Sequence, residues 1–228
     1  NRSLVVVLNT PGAVLMPWLG GVRAVLEAWY PGEEDGAATA GVLFGAVDPS
    51  GHLPVTFPAS GDGVVSGSRS CWPGVDGSVE FCGGLDIGYR YDAARHILPL
   101  FAFGFGLSYT SFRLGPLVVG TTSGRVAASV RVTDSGRRSG ADVVQAYLSF
   151  PPSAGEPPLQ LVAFQRVELS PGHSDVVRLS IPASSFQAFL GSQFRTVRGE
   201  YTLRVGASAD DLPLVATLSA PRSQPSTG

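Results

Sequence analysis

Val126-Ala127-Ala128-Ser129-Val130-Arg131-Val132-Thr133 places an apolar residue at every second position, the pattern of a β-strand with one face buried and the other wet. Val144, Ala146, Leu148 and Phe150 repeat the pattern against Gln145, Tyr147 and Ser149. Val177, Leu179 and Ile181 do so again, as do Tyr201, Leu203 and Val205. Turn chemistry stands between the runs, at Asp134-Ser135-Gly136, Pro151-Pro152, Ser170-Pro171-Gly172 and Arg198-Gly199. Short alternating strands punctuated in this way predict an all-β sandwich over residues 112–219. The Ser- and Pro-rich stretch 220–228 reads as a disordered tail.

Upstream of the sandwich the period changes. Leu4-Val5-Val6-Val7-Leu8 is continuous and β-branched, the signature of a parallel strand buried on both faces. After the turn-like Asn9-Thr10-Pro11-Gly12, the spacing of Val22, Val25, Leu26 and Trp29 predicts a helix ending at Tyr30-Pro31-Gly32. A second helix is expected through Ala37, Ala38, Ala40, Val42, Leu43 and Phe44, and Leu53-Pro54-Val55-Thr56-Phe57 reads as a strand or edge segment. The order strand, helix, helix, strand suits an open α/β layer over 1–58. One or two strands do not make a stable parallel sheet, so its remaining strands are expected before Asn1. The chain also lacks an initiator Met and enters an apolar run after three residues, which suggests a piece of something longer. Residues 59–111, rich in Gly, Ser, Asp and aromatics, form an irregular connection long enough to suggest a binding surface. The fold class is therefore α/β plus all-β, the second unit being a sandwich of immunoglobulin or fibronectin III type.

Composition narrows the function classes. Hydrophobic residues make up 44% and charged residues 15% of the 228, with 29 Gly and 18 Pro, which excludes intrinsic disorder and collagen-like repeats. A net charge of −2 gives no footprint for nucleic acid or an anionic membrane surface. No apolar stretch is long enough to span a membrane, and the first residues lack the features of a signal peptide. Gly104 and Gly106 lack the strand-to-helix context of a phosphate loop, and Gly106-Leu107-Ser108-Tyr109-Thr110 fails the nucleophile-elbow pattern. His52, His96 and His173 are scattered, and two cysteines do not make a zinc site, so neither a metal nor a cofactor is expected.

Several blocks carry a resemblance. VVVLNTPGAVLMPW and AWYPGEEDGAATAGVLFGAVDPSGHLPVTFP, within Leu4 to Phe57, are similar to the later part of the second domain of glycoside hydrolase family 3, the β-glucosidase and β-xylosidase group. GLDIGYRYDA at 84–93 and PLFAFGFGLSYTSF at 99–112 resemble that family's junction before its last domain. VRVTDSGRRSGADVVQAYL, LVAFQRVELSPGHS and GEYTLRVGAS resemble its fibronectin III-like domain. Two positions depart from the family's pattern: Gly83 stands where a carboxylate is frequent, and Asp35 replaces a Gly in the Pro-Gly-x-x-Gly-Gly-like run.

The resemblance implies a retaining exo-β-glycosidase acting on terminal β-linked sugars. Such chemistry needs two carboxylates about 5–5.5 Å apart, one forming a glycosyl intermediate and the other acting as acid and then base. The family carries its nucleophile on an N-terminal (β/α)8 barrel and its acid/base Glu ahead of the strand that begins here at Leu4. No catalytic residue is therefore assigned in this chain. The substrate, a β-linked oligosaccharide or glycoside, is expected to bind through the barrel, and glucoside and xyloside specificity are not separated. The competing class is a non-catalytic fibronectin III-type module binding carbohydrate or a protein.

Within the connection, Asp76, Glu80, Asp86 and Asp92 sit among Trp72, Tyr89, Arg90 and Tyr91. Asp86, Tyr89 and Arg90 are the candidate substrate-binding residues, because carboxylates, Arg and aromatic rings are what sugar binding uses. The competing reading is a set of solvated loop charges, with an Arg tying the junction together. Cys71 and Cys82 either close a small loop by a disulfide or remain two thiols; a bond would favour a secreted or extracytoplasmic setting. Asn1-Arg2-Ser3 matches a glycosylation acceptor, a short pattern of little weight.

Overall fold

A computed structural model describes residues 3–61, 68–122 and 124–221. Asn1 of the glycosylation pattern, residues 62–67 of the connection and residues 222–228 of the tail lie outside the described residues.

The α/β unit begins with β1 (Val5–Leu8), which pairs in parallel with β2 (Ala24–Glu27), Val5 opposite Ala24 and Leu8 opposite Glu27. β2 lies where the spacing predicts a helix. Its four residues fit between the Leu19–Gly21 turn and Tyr30-Pro31-Gly32, too short a span for a stable helix. Pairing with β1 satisfies the backbone instead. Helix α1 (Asp35–Leu43) forms where expected. Leu53 to Phe57 is an edge segment and not a full strand: Leu53 N–H donates to Phe105 O and Phe57 N–H to Phe101 O, while Pro54 and Pro58 lack donors. Phe57, 1% exposed, packs against Trp29 and Phe101. The connection carries a second helix, α2 (Tyr89–Arg95), that periodicity does not signal.

The sandwich has two antiparallel sheets. β3 (Phe112–Thr122), β4 (Arg125–Asp134) and β7 (Ser174–Ile181) form one, in the order β3-β4-β7. The other holds β5 (Gly140–Ser149), β6 (Gln160–Leu169), β10 (Glu200–Gly206) and β11 (Leu214–Ser219), in the order β11-β10-β5-β6. A hairpin of β8 (Gln187–Leu190) and β9 (Gln193–Thr196) stands beside them. Val126, Val130 and Val132 of β4 face Val144, Ala146 and Leu148 of β5, with Leu179, Ile181, Leu203 and Val205, in one continuous core. Phe186 and Tyr201 close it at one end, their rings edge-to-face at 5.1 Å, with the Tyr201 hydroxyl against the carbonyls of Val197 and Phe186.

One sandwich strand departs from simple alternation. Gln145 and Tyr147 of β5 fall on the face that the period-two pattern assigns to solvent, yet they are 3% and 0% exposed. The α/β unit covers that face.

Candidate functional site

The chain's polar side chains converge at the junction of the two units. Residues 53–57 and 100–105 run as paired extended strips, the second reaching β5 at Gln145. Gly104 lies so close that a Cβ would overlap the Gln145 carboxamide, and its φ of +81° is one that side-chain-bearing residues rarely adopt. Gln145 Nε2 donates to the carbonyls of Gly104 and Ala207, and the Tyr147 hydroxyl donates to Gln145 Oε1 at 2.7 Å. Burial pushes the Tyr147 phenol far above its ordinary range, so it stays a donor. His52 stands beside this pair, its Nδ1 at the Gly104 carbonyl and its Nε2 3.3 Å from Asp142 Oδ1.

A second polar cluster fixes the other end of the junction. Asp48 accepts from the Ser108 hydroxyl at 2.9 Å and from the Tyr109 N–H at 2.7 Å. At the end of α1 the Val42 carbonyl accepts the Gly45 N–H at 3.0 Å and the Tyr109 hydroxyl at 2.7 Å, and just beyond it the Gly45 carbonyl accepts from the Arg138 guanidinium at 2.6 Å. The connection thus meets the helix end through Tyr109, and the sandwich meets the turn after it through Arg138.

The sequence-predicted residues lie around α2. Tyr89 turns inward: its ring stacks on Phe103 at 4.8 Å and meets Tyr147 edge-on, and its hydroxyl accepts the Leu161 N–H at 2.9 Å. Arg90 lies beside it with its guanidinium 5.9 Å from the Tyr89 ring. Asp86 precedes the helix and is 3.9 Å from Arg95, a loose and half-exposed pair. Asp92 is buried, which raises its carboxyl pKa, the Thr56 hydroxyl partly opposing. Glu80 accepts from the Ser70 hydroxyl at 2.9 Å. Among the described residues no three His, Cys, Asp or Glu side chains converge as metal ligands. Cys71 and Cys82 are joined by a disulfide, and Trp72 and Phe81, next to them in the chain, are 69% and 95% exposed.

At the carboxyl ends of β1 and β2, where open parallel sheets meet ligands, a set of residues emerges of which sequence reading singled out only Asp35, as a departure from the family's pattern. Glu27 accepts from the Thr10 hydroxyl at 3.0 Å and from the Trp29 N–H at 2.9 Å. Trp29 has a φ of +55°, a strained conformation for an aromatic residue. Asp35 accepts from the Asn9 amide at 3.3 Å and the Thr39 hydroxyl at 3.0 Å. The turn residues after each strand were the available signal. The buried Gln145 and the His52–Asp142 pair had none, being separated along the chain by as many as 90 positions.

The comparisons agree with this two-part architecture. Residues 1–109 match the glycosyl hydrolase family 3 C-terminal domain, and residues 142–209 match a fibronectin type III-like domain. A beta-glucosidase of Rhizobium radiobacter is 43% identical over 97% of this chain, and a thermostable beta-glucosidase B of Acetivibrio thermocellus is 36% identical over 94%. The chain spans 28% and 29% of the lengths of these relatives. DesR, a beta-glucosidase from Streptomyces venezuelae solved in complex with D-glucose, superposes with a TM-score of 0.93 at 39% identity, over 96% of this chain and 29% of its own. Beta-glucosidase 3B from Thermotoga neapolitana gives 0.89 at 34% identity, over 96% and 31%. Because both units match in their order and the solved folds follow them over nearly the whole chain, this protein belongs to glycoside hydrolase family 3, as the C-terminal part of such enzymes.

Proposed function

We propose that the chain is the C-terminal portion of a retaining exo-β-glycosidase of the β-glucosidase type, releasing terminal β-linked glucose from oligosaccharides or glycosides. The observation that carries this reading is the match of both units, over nearly all the chain, to proteins named as beta-glucosidases, one of them solved with D-glucose. The nucleophile and the acid/base carboxylate belong, on this reading, to a preceding barrel and the segment before β1, and the substrate binds there. The carboxyl ends of β1 and β2, with Glu27, Thr10 and the strained Trp29, face that cleft and support its second wall.

Asp86 and Arg90 edge the aglycone side, where a half-exposed carboxylate and a guanidinium can meet sugar hydroxyls. Tyr89 acts through position: its hydroxyl and ring hold α2 against β5 and β6. The Cys71–Cys82 bond supports an oxidising setting, such as the secretory route or a periplasm.

The test is hydrolysis of aryl β-glucoside against aryl β-xyloside by the complete enzyme. Faster turnover of the glucoside supports the reading, and preference for the xyloside overturns the sugar assignment. In that enzyme, Asp86→Asn and Arg90→Ala should raise KM several-fold with an unchanged melting midpoint. A fallen midpoint with unchanged KM would make them scaffold.

A further inference from the structure

The feature of the junction that family membership leaves unexplained is the ionic pair at its centre. His52 lies on the extended strip of the α/β unit, with a side chain only 12% exposed, and both ring nitrogens face oxygen acceptors. Nδ1 meets the Gly104 carbonyl, which also takes the Gln145 amide at 3.0 Å. Nε2 faces Asp142 Oδ1 at 3.3 Å, on β5 of the sandwich. A neutral imidazole has one N–H and cannot donate to both; an imidazolium can. The face of the ring is closed as well, since a Cβ at Gly106 would stand 3.2 Å from ring carbons and 2.6 Å from Gly51 O.

We propose that His52 is a protonation-dependent latch between the α/β unit and the sandwich, closed while its imidazole is cationic. The groups facing it define the sign. From β5 come the Asp142 carboxylate and, beyond it, the neutral Gln145 and Tyr147; from the 100–105 strip comes the Gly104 carbonyl. The loop after β10 presents the Ala207 carbonyl. Asp48, on the same stretch as His52, is held by Ser108, Tyr109 and the N–H of Ala141, the β5 neighbour of Asp142. Asp210, on the loop after β10, is held by the Ser208 hydroxyl. Arg166 of β6 reaches Ser50 at 3.5 Å and pairs with Glu168. No cation among the described residues contacts the ring.

Burial pulls the imidazole pKa down, but the hydrogen bond and charge of Asp142 with the Gly104 and Ala207 carbonyls outweigh it. The ring therefore holds its proton above the usual 6.5. A raised pKa in the folded state means that the latch is fully closed below about pH 6.5 and is lost as pH rises through the folded value. Opening removes one N–H and leaves a bare imidazole nitrogen facing the Asp142 carboxylate or the Gly104 carbonyl.

The test uses the 228-residue chain in two measurements. NMR titration of the imidazole nitrogens needs no variant: both nitrogens of His52 should be protonated just above pH 6.5, with the transition falling higher still. Urea unfolding then compares the wild type with His52→Gln and His52→Arg. The wild-type unfolding constant should rise with pH across the His52 titration, by at most about tenfold per pH unit relative to His52→Gln. His52→Arg should abolish that difference. A ring already neutral at pH 6.5, or wild-type and His52→Gln curves that stay parallel across the window, overturns the proposal. Should His52→Gln not fold, the titration alone decides.

Discussion

The sandwich and the α/β unit are built from similar residues and buried very differently. Across the two facing sheets, Val130, Val132, Leu148, Ile181, Phe186, Tyr201, Leu203 and Val205 are 0% exposed. In the α/β unit and the connection the buried apolar residues shrink to Met16, Phe57 and Ala102, while Phe44 is 88%, Tyr30 74% and Leu98 82% exposed. Each fully buried large side chain contributes about 1.5–3 kcal/mol, so the sandwich carries its own stability. The α/β unit instead draws on its contacts with the connection and the sandwich: Arg138 on the Gly45 carbonyl, the Ala141 N–H on Asp48, and the Gln145 network. Two units of one chain thus divide the work, one supplying a core and the other a surface.

The largest expected effect tests that division directly. Phe186→Ala removes a ring packed edge-on against Tyr201 and should cost about 3–5 kcal/mol in denaturant unfolding. Phe44→Ala, at a mostly exposed ring, should stay within about 0.5 kcal/mol. Equal costs would erase the contrast.

A smaller effect is expected from the loop disulfide. Cys71 and Cys82 are eleven positions apart, and closing such a loop is worth about 3 kcal/mol by chain entropy. The double Cys→Ser variant should become cleavable by protease within 72–81 while the sandwich keeps its midpoint. A midpoint that falls for the whole chain would mean that the loop is coupled to the core.

Next comes the junction itself. Gln145→Ala leaves the Gly104 and Ala207 carbonyls short of a buried donor and should cost about 1–3 kcal/mol. Tyr147→Phe, which removes only the hydroxyl bond to Gln145, should cost about 0.5–1.5 kcal/mol. If the α/β unit docks loosely, both variants will resemble wild type in hydrogen exchange at Leu53 and Gly104.

The same contrast explains what could be read in advance. β4 and β7 were legible because each buries one face, and alternation reports one face. On β5 the pattern placed Gln145 and Tyr147 correctly opposite the core but carried no sign that a second unit covers them. β1 was legible as a parallel strand from its continuous β-branched run, but not as one buried on both faces, since none of its four residues is buried and Val5 is 42% exposed; Val22, Val25, Leu26 and Trp29 fit a helix by spacing and a strand by length. Pairing with β1, a tertiary fact, decided for the strand. α2 has seven residues, Tyr-Arg-Tyr-Asp-Ala-Ala-Arg, with no apolar stripe to announce it. Among the candidate site residues, Asp86, Tyr89 and Arg90 share a neighbourhood because they share a stretch of chain. The inward turn of Tyr89 depends on Phe103, Tyr147 and Leu161, which no local pattern connects to it, whereas Asp86 pairs, among the described residues, only with Arg95 nearby.

The smallest effect concerns Asp92, one of the few buried groups on the α/β side and the only buried charged one there among the described residues. Burial raises its carboxyl pKa, so the folded state binds the proton more tightly than the unfolded chain. A raised carboxyl contributes stability below the unfolded value of 3.8, and that contribution is lost as pH rises through the folded value. At neutral pH the buried charge is a cost that Asp92→Asn removes. The variant should therefore be slightly more stable than wild type at pH 7, with the advantage vanishing near pH 3 in parallel urea titrations. The gain should be smaller than the loss in Gln145→Ala, because Asp92 sits in the loosely packed unit. A gain at both pH values would point to better packing by the amide and not to the charge, and would show the α/β side to be packed more tightly than its exposed rings imply.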